Sequence, residues 1–293
     1  MENTNPVTLR PGRPQDAADC GRICYDAFRA IAEQHNFPLD FTIPEEAIGL
    51  AEFMLSRPDV YAVVAEGEGG RIVGSNFLWK GDAIAGVGPI TVDPSGQNGS
   101  VGRRLMEDVI EHARAHGHAG VRLVQAAYHG RSLSLYAKLG FAVREHLACM
   151  QGPAPGLDAP KGVVVRAVRE GDLDACNELC RRVHGHDRAG ELAGAVAQGS
   201  AMLVEREDTG RITGYATVLG FFGHTVGDSN DDLKALIGAA PGFAGPGILV
   251  PVRNADLFRW CLERGLRVTQ TMNLMTTGLY NEPVGAFLPS ILF

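Results

Sequence analysis

The stretch best equipped for chemistry is Gln97-Asn98-Gly99-Ser100-Val101-Gly102, followed at once by Arg103 and Arg104. Small residues let the oxygens of an anion approach backbone N–H groups closely. Val101, Leu105 and Val109 repeat at a spacing of four, with Met106 and Ile110 beside them, which predicts a helix from Val101 to His116. The first turn of such a helix carries unpaired N–H groups and the positive end of the dipole. Ser100 is its natural N-cap, with a hydroxyl free for an exposed N–H. Two arginines in that turn oppose the dipole, so they suit an anionic ligand such as a diphosphate better than they suit the helix. An ordinary strand–turn–helix corner is the competing reading of the loop alone.

Other residues with chemical potential are weaker. His112 and His116 lie four apart, but the glutamate of H-E-x-x-H is missing and His118 beside them points to a solvated helix end. His184, His186 and His224 match no zinc spacing, so no metal is expected. Gly86-x-Gly88 precedes a strand and not a helix, unlike a dinucleotide fingerprint. Cys20, Cys24, Cys149, Cys176, Cys180 and Cys261 form no C-x-x-C pair, and small buried thiols in a reducing compartment are expected.

Thirty residues beyond the loop stands His129-Gly-Arg-Ser132-Leu-Ser-Leu135-Tyr136-Ala-Lys138-Leu-Gly140-Phe141. Together the two stretches resemble the GNAT superfamily of acetyl-CoA-dependent N-acetyltransferases over about residues 7–151. Val92-Asp93-Pro94 matches the family's strand end, Gln97 and Gly102 the ends of its pyrophosphate loop, and Ser132, Leu135, Tyr136, Lys138, Gly140 and Phe141 its later helix. Ser100 stands where the middle loop glycine is usual, and His129 where asparagine is usual. The resemblance implies that the backbone of Ile90, Thr91 and Val92 pairs with the pantetheine arm. It implies that Gln97, Asn98, Gly99, Ser100, Val101, Gly102 and Arg103 hold the pyrophosphate, with His129 and Ser132 beside the cofactor. It implies acetyl-CoA as co-substrate, and Tyr136 as the acid for the leaving thiolate, a role suited to a phenol's high pKa. An aromatic packed beside Leu135 and Phe141 is the plainer reading of Tyr136. The base stays open among His35, Asp40, Asp82 and His129.

The elements that must position these groups follow from patterning. Strands are predicted at Val7–Arg10, Val60–Glu66, Arg71–Trp79, Ala83–Val92, Val121–Ala126 and Phe141–Met150, with helices at Pro14–Ala32, Glu45–Leu55, Val101–His116 and Arg131–Leu139. Gly152–Lys161 holds three prolines and two glycines and reads as a linker. After it the pattern restarts. Val7–Cys24 lies on Val163–Cys180 at an offset of 156. Arg71-Ile-Val-Gly74 lies on Arg211-Ile-Thr-Gly214, and Gly140 on Gly265. The expected architecture is therefore α/β (α+β): two tandem GNAT-like domains, each a mixed, mostly antiparallel twisted sheet flanked by helices. Their expected bounds are 1–151 for the catalytic domain, 152–162 for the linker and 163–293 for a degenerate copy. Where the first copy has its loop, the second offers Asp228, Asp231 and Asp232, which repel a diphosphate.

Composition is ordinary for a globular chain: 293 residues, 45% hydrophobic, 21% charged, net charge −7. There is no basic tract for nucleic acid, no run of eighteen apolar residues and no leader-like start, so a cytoplasmic protein is expected. The sequence reading is transfer of an acetyl group from acetyl-CoA to the amine of a small molecule in a ternary complex. An acyl-CoA-binding module without turnover is the alternative, and a homodimer is compatible with either.

Overall fold

The computed structural model describes residues 7–96 and 100–292, which gather into two compact units. The first unit holds residues up to 80, 84–122 and 129–141; the second holds 81–83, 123–128 and 142 onward. The first is a mixed, mostly antiparallel sheet, the second pairs its strands antiparallel in the described ladders, and helices flank both.

In the first unit β1 (Thr8–Pro11), β2 (Val60–Glu66) and β3 (Ile72–Trp79) pair antiparallel in sequence order of the sheet. Two helices connect β1 to β2: α1 (Ala17–His35) and α2 (Pro44–Leu55). The buried face of α1 carries Ala17, Cys20, Ile23 and Cys24, the three-and-four spacing of an amphipathic helix. Gly21 brings the backbone of α2 against α1, since a Cβ there would lie 2.4 Å from the Cα of Ile48. Arg10 fixes the start of α1: it donates to both carboxylate oxygens of Asp16, at 2.8 and 2.9 Å, and to Glu66 at 2.5 Å.

The single strand expected over Ala83–Val92 is two. β4 (Ile84–Val87) and β5 (Thr91–Val92) are separated by a cis Gly88–Pro89 bond. Pro89 has no N–H to continue a ladder. β4 pairs with β3 and runs parallel to the start of β6 (Gly120–Ala126). β5 pairs with β3 through Gly74↔Val92 and Ser75↔Thr91, and no other strand pairs with it among the described residues. α3 (Val101–Ala115) then covers the sheet with Leu105, Met106, Val109 and Ala113, all at 0% exposure. Each large member of that stripe contributes about 1.5–3 kcal/mol. α4 (Gly130–Lys138) completes the unit.

The second unit contains β7 (Ala142–Gln151), β8 (Val163–Ala167), α5 (Leu173–His184), α6 (Ala189–Ala197), β9 (Met202–Arg206), β10 (Ile212–Ala216), β11 (Thr225–Gly227) and α7 (Asn230–Ala239). β12 (Ile248–Pro251), α8 (Ala255–Glu263), β13 (Arg267–Gly278) and β14 (Ala286–Leu288) follow. One sheet runs β14-β11-β10-β9-β8. β7 pairs with β12 on one edge and with β13 on the other, from Arg267↔Gln151 to Thr276↔Ala142. The compact units therefore divide the chain elsewhere than at residues 152–162, because β7 finds both its hydrogen-bonding partners beyond that stretch. Residues 152–162 themselves carry no regular element, as their prolines and glycines require.

The grip of Arg10 recurs here. Arg166 donates to both oxygens of Asp172, at 2.7 and 3.0 Å, and to Glu205 at 2.8 Å. Asp172 accepts from Arg169 N at 2.8 Å, as Asp16 accepts from Arg13 N at 2.8 Å. The aligned sequences at offset 156 thus share a side-chain constellation as well as a pattern.

Candidate functional site

Three elements of the first unit meet at Gly102. A Cβ there would lie 3.6 Å from Val92 of β5 and 3.8 Å from Leu135 of α4. The end of β5, the start of α3 and the middle of α4 are therefore within van der Waals reach of one residue. Asp93 stabilises the turn leaving β5: it accepts from Ser95 N at 2.9 Å and Ser95 Oγ at 2.6 Å, with Arg71 at 2.9 Å. Those bonds hold its carboxyl below the usual range.

Gln97, Asn98 and Gly99 lie outside the described residues. Ser100 occupies the cap position of α3, but not as expected. Its backbone is left-handed, at φ 60° and ψ 2°, and its side chain makes no capping hydrogen bond. That conformation explains why glycine is usual at this place in the resemblance, since a Cβ there meets the following carbonyl. The helix start consequently keeps its N–H groups clear of a capping side chain. Arg103 pairs with Glu107 at 2.8 Å, and Arg104 donates to the Val7 carbonyl at 2.7 Å. Val101 is buried.

Thr91 is buried, its hydroxyl 3.4 Å from that of Ser75, while Ile90 lies just ahead of β5 and outside the regular strand. His129 sits at the cap position of α4 and makes no side-chain capping bond; burial lowers its pKa, and the charges of Arg131 and His35 add to that. Ser132 Oγ donates to the His129 carbonyl at 3.0 Å. Tyr136 is buried in α4 with its ring 6.1 Å from that of Phe141, and burial alone raises its phenol above the ordinary value. It stays protonated, and so remains a donor, throughout the neutral range.

Among the base candidates, Asp82 belongs to the second unit, where it accepts from Gly190 N at 2.8 Å. His112 stacks on Tyr61 at 3.6 Å and on His116 at 4.0 Å, so this pair packs against an aromatic ring instead of simply ending a solvated helix. No group of three or more metal-binding side chains occurs among the described residues. All six cysteines are free and buried.

The Acetyltransferase (GNAT) family model matches residues 25–141, the segment that holds β5, α3 and α4. The IAA acetyltransferase of Azospirillum brasilense is 32% identical over 123 residues, which are 41% of this chain and 79% of that one. The chain belongs to the GNAT acetyltransferase family. The GNAT fold extends over nearly all of it. A Pyrococcus horikoshii crystal structure matches 98% of this chain and 94% of its own at TM-score 0.71 and 20% identity. A GCN5-related N-acetyltransferase from Sphaerobacter thermophilus matches 95% and 98% at 0.63 and 17% identity. A tandem GNAT protein from the clavulanic acid biosynthesis pathway matches 93% and 98% at 0.55 and 15% identity.

The second unit of this GNAT chain contains a strand pairing and a Glu191–His224 cluster that the sequence reading missed. β11 pairs with β10 through Tyr215↔Val226, as β5 pairs with β3 through Ser75↔Thr91. The far edge of β11 is taken by β14, through Thr225↔Leu288, Val226↔Phe287 and Gly227↔Ala286. At the start of α7, Asp232 is 1% exposed and accepts from Ser229 N and Oγ, from Thr213 Oγ1 and from Arg206. Next to the strand, Glu191 accepts from Thr217 Oγ1 at 2.6 Å and His224 N at 3.1 Å, and it lies 2.5 Å from Arg188 and 2.9 Å from His224 Nδ1. His224 Nε2 lies 2.8 Å from the Tyr215 hydroxyl. Of these groups the sequence marks Asp232, one of the three aspartates expected to stand where the first copy has its loop.

Proposed function

We propose that the chain transfers an acetyl group from acetyl-CoA directly to the amine of a small molecule, that its first copy carries the reaction, and that its second copy no longer binds the cofactor. The observation that carries this is the contrast between β5 and β11. β5 has one strand partner among the described residues, and its remaining edge is free to donate and accept hydrogen bonds along an amide-bearing arm. β11 has two strand partners, and its edge is already spent on β14.

The residues of the first copy fit the cofactor. Thr91 and Val92 offer a strand edge, and the start of α3 offers backbone N–H groups without a capping side chain. Ser100, Val101, Gly102 and Arg103, with Gln97 to Gly99, are the proposed pyrophosphate cradle, and His129 and Ser132 flank it from α4. Bound acetyl-CoA supplies an acetyl thioester, an electrophile with a good leaving group. The chain's part is to hold that group beside the amine and to move protons. Tyr136, kept protonated by burial, donates to the sulfur as the C–S bond breaks. The second copy is a supporting body: Asp232 fills the start of α7 with its own carboxylate, which repels phosphate there.

The test is made on the full chain. Calorimetric titration with CoA should give one site per chain, and free thiol should appear when acetyl-CoA is mixed with a panel of small amines. Binding without thiol release on any amine would favour a sensor that holds acyl-CoA. Two sites per chain would overturn the assignment of the second copy.

A further inference from the structure

Gly74 lies in the first unit where β3, β5 and α3 come together. A Cβ built on it would stand 2.8 Å from the Thr91 carbonyl oxygen, 3.4 Å from the Val92 Cα and 3.2 Å from Leu105 Cδ1 of α3. The end of the Leu105 side chain can rotate aside. The Thr91 carbonyl belongs to the backbone, so it gives way only if β5 itself moves. Gly74 has no positive φ, so the missing side chain supplies room and not conformational freedom.

The β3–β5 ladder shows what the room is for. Asp93 N donates to Val73 O at 2.9 Å, and the register continues as Gly74↔Val92 and Ser75↔Thr91. Hydrogen-bonded and non-hydrogen-bonded positions alternate along an antiparallel pair. Asp93 and Thr91 therefore turn their backbone groups toward β3. Val92 turns its N–H and C=O the other way, to the edge that no strand covers among the described residues. Gly74 stands opposite Val92, at the kind of position where facing Cα atoms come closest. Among the described residues β3 is the one strand that holds β5, so a displaced β5 has no second ladder to keep it in place. Val92 is also the β5 residue next to Gly102, since a Cβ on Gly102 would lie 3.6 Å from its Cγ2. The depth at which Val92 sits thus sets the distance from the strand edge to the start of α3. Gly214 is the aligned glycine of the second copy, and it faces Gly227 in the β10–β11 ladder. A Cβ on it would stand 2.9 Å from Asp232 Cβ and 3.3 Å from Val204 Cγ2, both side-chain atoms. The same residue makes room for a strand in one copy and for the stem of a carboxylate in the other.

We propose that Gly74 is a positioning residue for the cofactor. Its missing Cβ lets β5 sit deep enough against β3 for the Val92 N–H and C=O to bond the amide-bearing arm while the start of α3 holds the diphosphate. The proposal rests on the acetyl-transfer reading above. It singles out Val92 within β5, because the backbone groups of Thr91 are spent on Ser75. A side chain at 74 pushes β5 off its ladder and carries the outward groups of Val92 with it.

The experiment uses the full chain as wild type, Gly74→Ala and Gly214→Ala. CoA is titrated calorimetrically, and amide hydrogen exchange is read residue by residue in β5 and α3. Gly74→Ala should weaken CoA binding by about tenfold or more, since small misplacements of a binding group are costly. It should also speed exchange of the Asp93 N–H, which has to leave Val73 O, and leave the α3 amides unchanged. Gly214→Ala should lower the melting temperature and keep CoA affinity within about twofold of the wild type, as expected of an independent site. In the wild type, CoA should slow exchange at Val92 and leave Thr91 and Asp93, already bonded to β3, as they were. Gly74→Ala binding CoA like the wild type, keeping its slow Asp93 exchange, or failing to fold would overturn the positioning role. So would an equal loss of CoA affinity in Gly214→Ala. Exchange at Val92 that is indifferent to bound CoA would overturn the part given to that residue. A wild type that binds no CoA would instead remove the acetyl-transfer reading, and this proposal with it.

Discussion

Asp232 turns back onto Ser229, accepting from both its backbone N–H and its hydroxyl at 3.0 Å. The carboxylate occupies the ground at a helix start where an anionic ligand would otherwise sit, and Arg206 and Thr213 hold it there at 2.6 Å each. Asp232→Ala should destabilise the chain by about 1–3 kcal/mol, because the buried Thr213 hydroxyl and the Ser229 groups lose their acceptor while Arg206, one-third exposed, keeps access to water. It should not create a second CoA site, because β14 still fills the edge of β11. Urea unfolding and calorimetry on the same variant check both parts, and a second binding event would count against the second copy's supporting role.

Ser100 should tolerate glycine better than it tolerates itself. Its left-handed backbone costs roughly 1–2 kcal/mol that glycine does not incur. Ser100→Gly is expected to raise the unfolding free energy by about 1 kcal/mol, read from urea unfolding, and to leave CoA affinity equal or higher. Ser100→Val, β-branched in the same conformation, should lose both stability and CoA binding.

Tyr136→Phe removes one hydroxyl from a buried ring and leaves its packing against Phe141 in place. CoA affinity should be retained while kcat falls by about 10²-fold, within the range for general acid catalysis. Equal losses in binding and turnover would show that the ring acts through packing.

Stability should depend on pH through His224. Burial opposes charge on this imidazole, but Glu191 outweighs burial, so its pKa is raised above the ordinary 6.5. Such a group contributes its full stabilisation below the unfolded value and loses it as pH rises through the folded one. Burial also works against the charge on Glu191, yet Arg188 and His224 hold its carboxyl below the usual range, so it stays charged across this window. Unfolding free energy should therefore decline from pH 6 upward past the folded pKa. His224→Gln should flatten that decline and should destabilise the chain more at pH 6 than at pH 9.

Local spacing determined a good deal by itself. Val101, Leu105 and Val109 made α3 legible, the 3.6-residue period being a property of the helix. The order of strands and helices, the Pro/Gly stretch at 152–161 and the register between Val7–Cys24 and Val163–Cys180 were equally open to reading. Tertiary structure decided the rest. Which strand takes the free edge of β11 depends on backbone hydrogen bonds, and every non-proline residue carries the same donor and acceptor, so Ala286–Leu288 bears no mark of its partner. The same holds for β7, whose partners β12 and β13 lie far along the chain. Ser100 reads as an ordinary cap, whereas in the folded chain its φ is positive and its side chain makes no capping bond. Nothing in the sequence pairs Arg104 with the Val7 carbonyl, which the fold brings within 2.7 Å of it. Residue types state what a side chain can bond, and only the packed chain determines which partner is near enough to bond it.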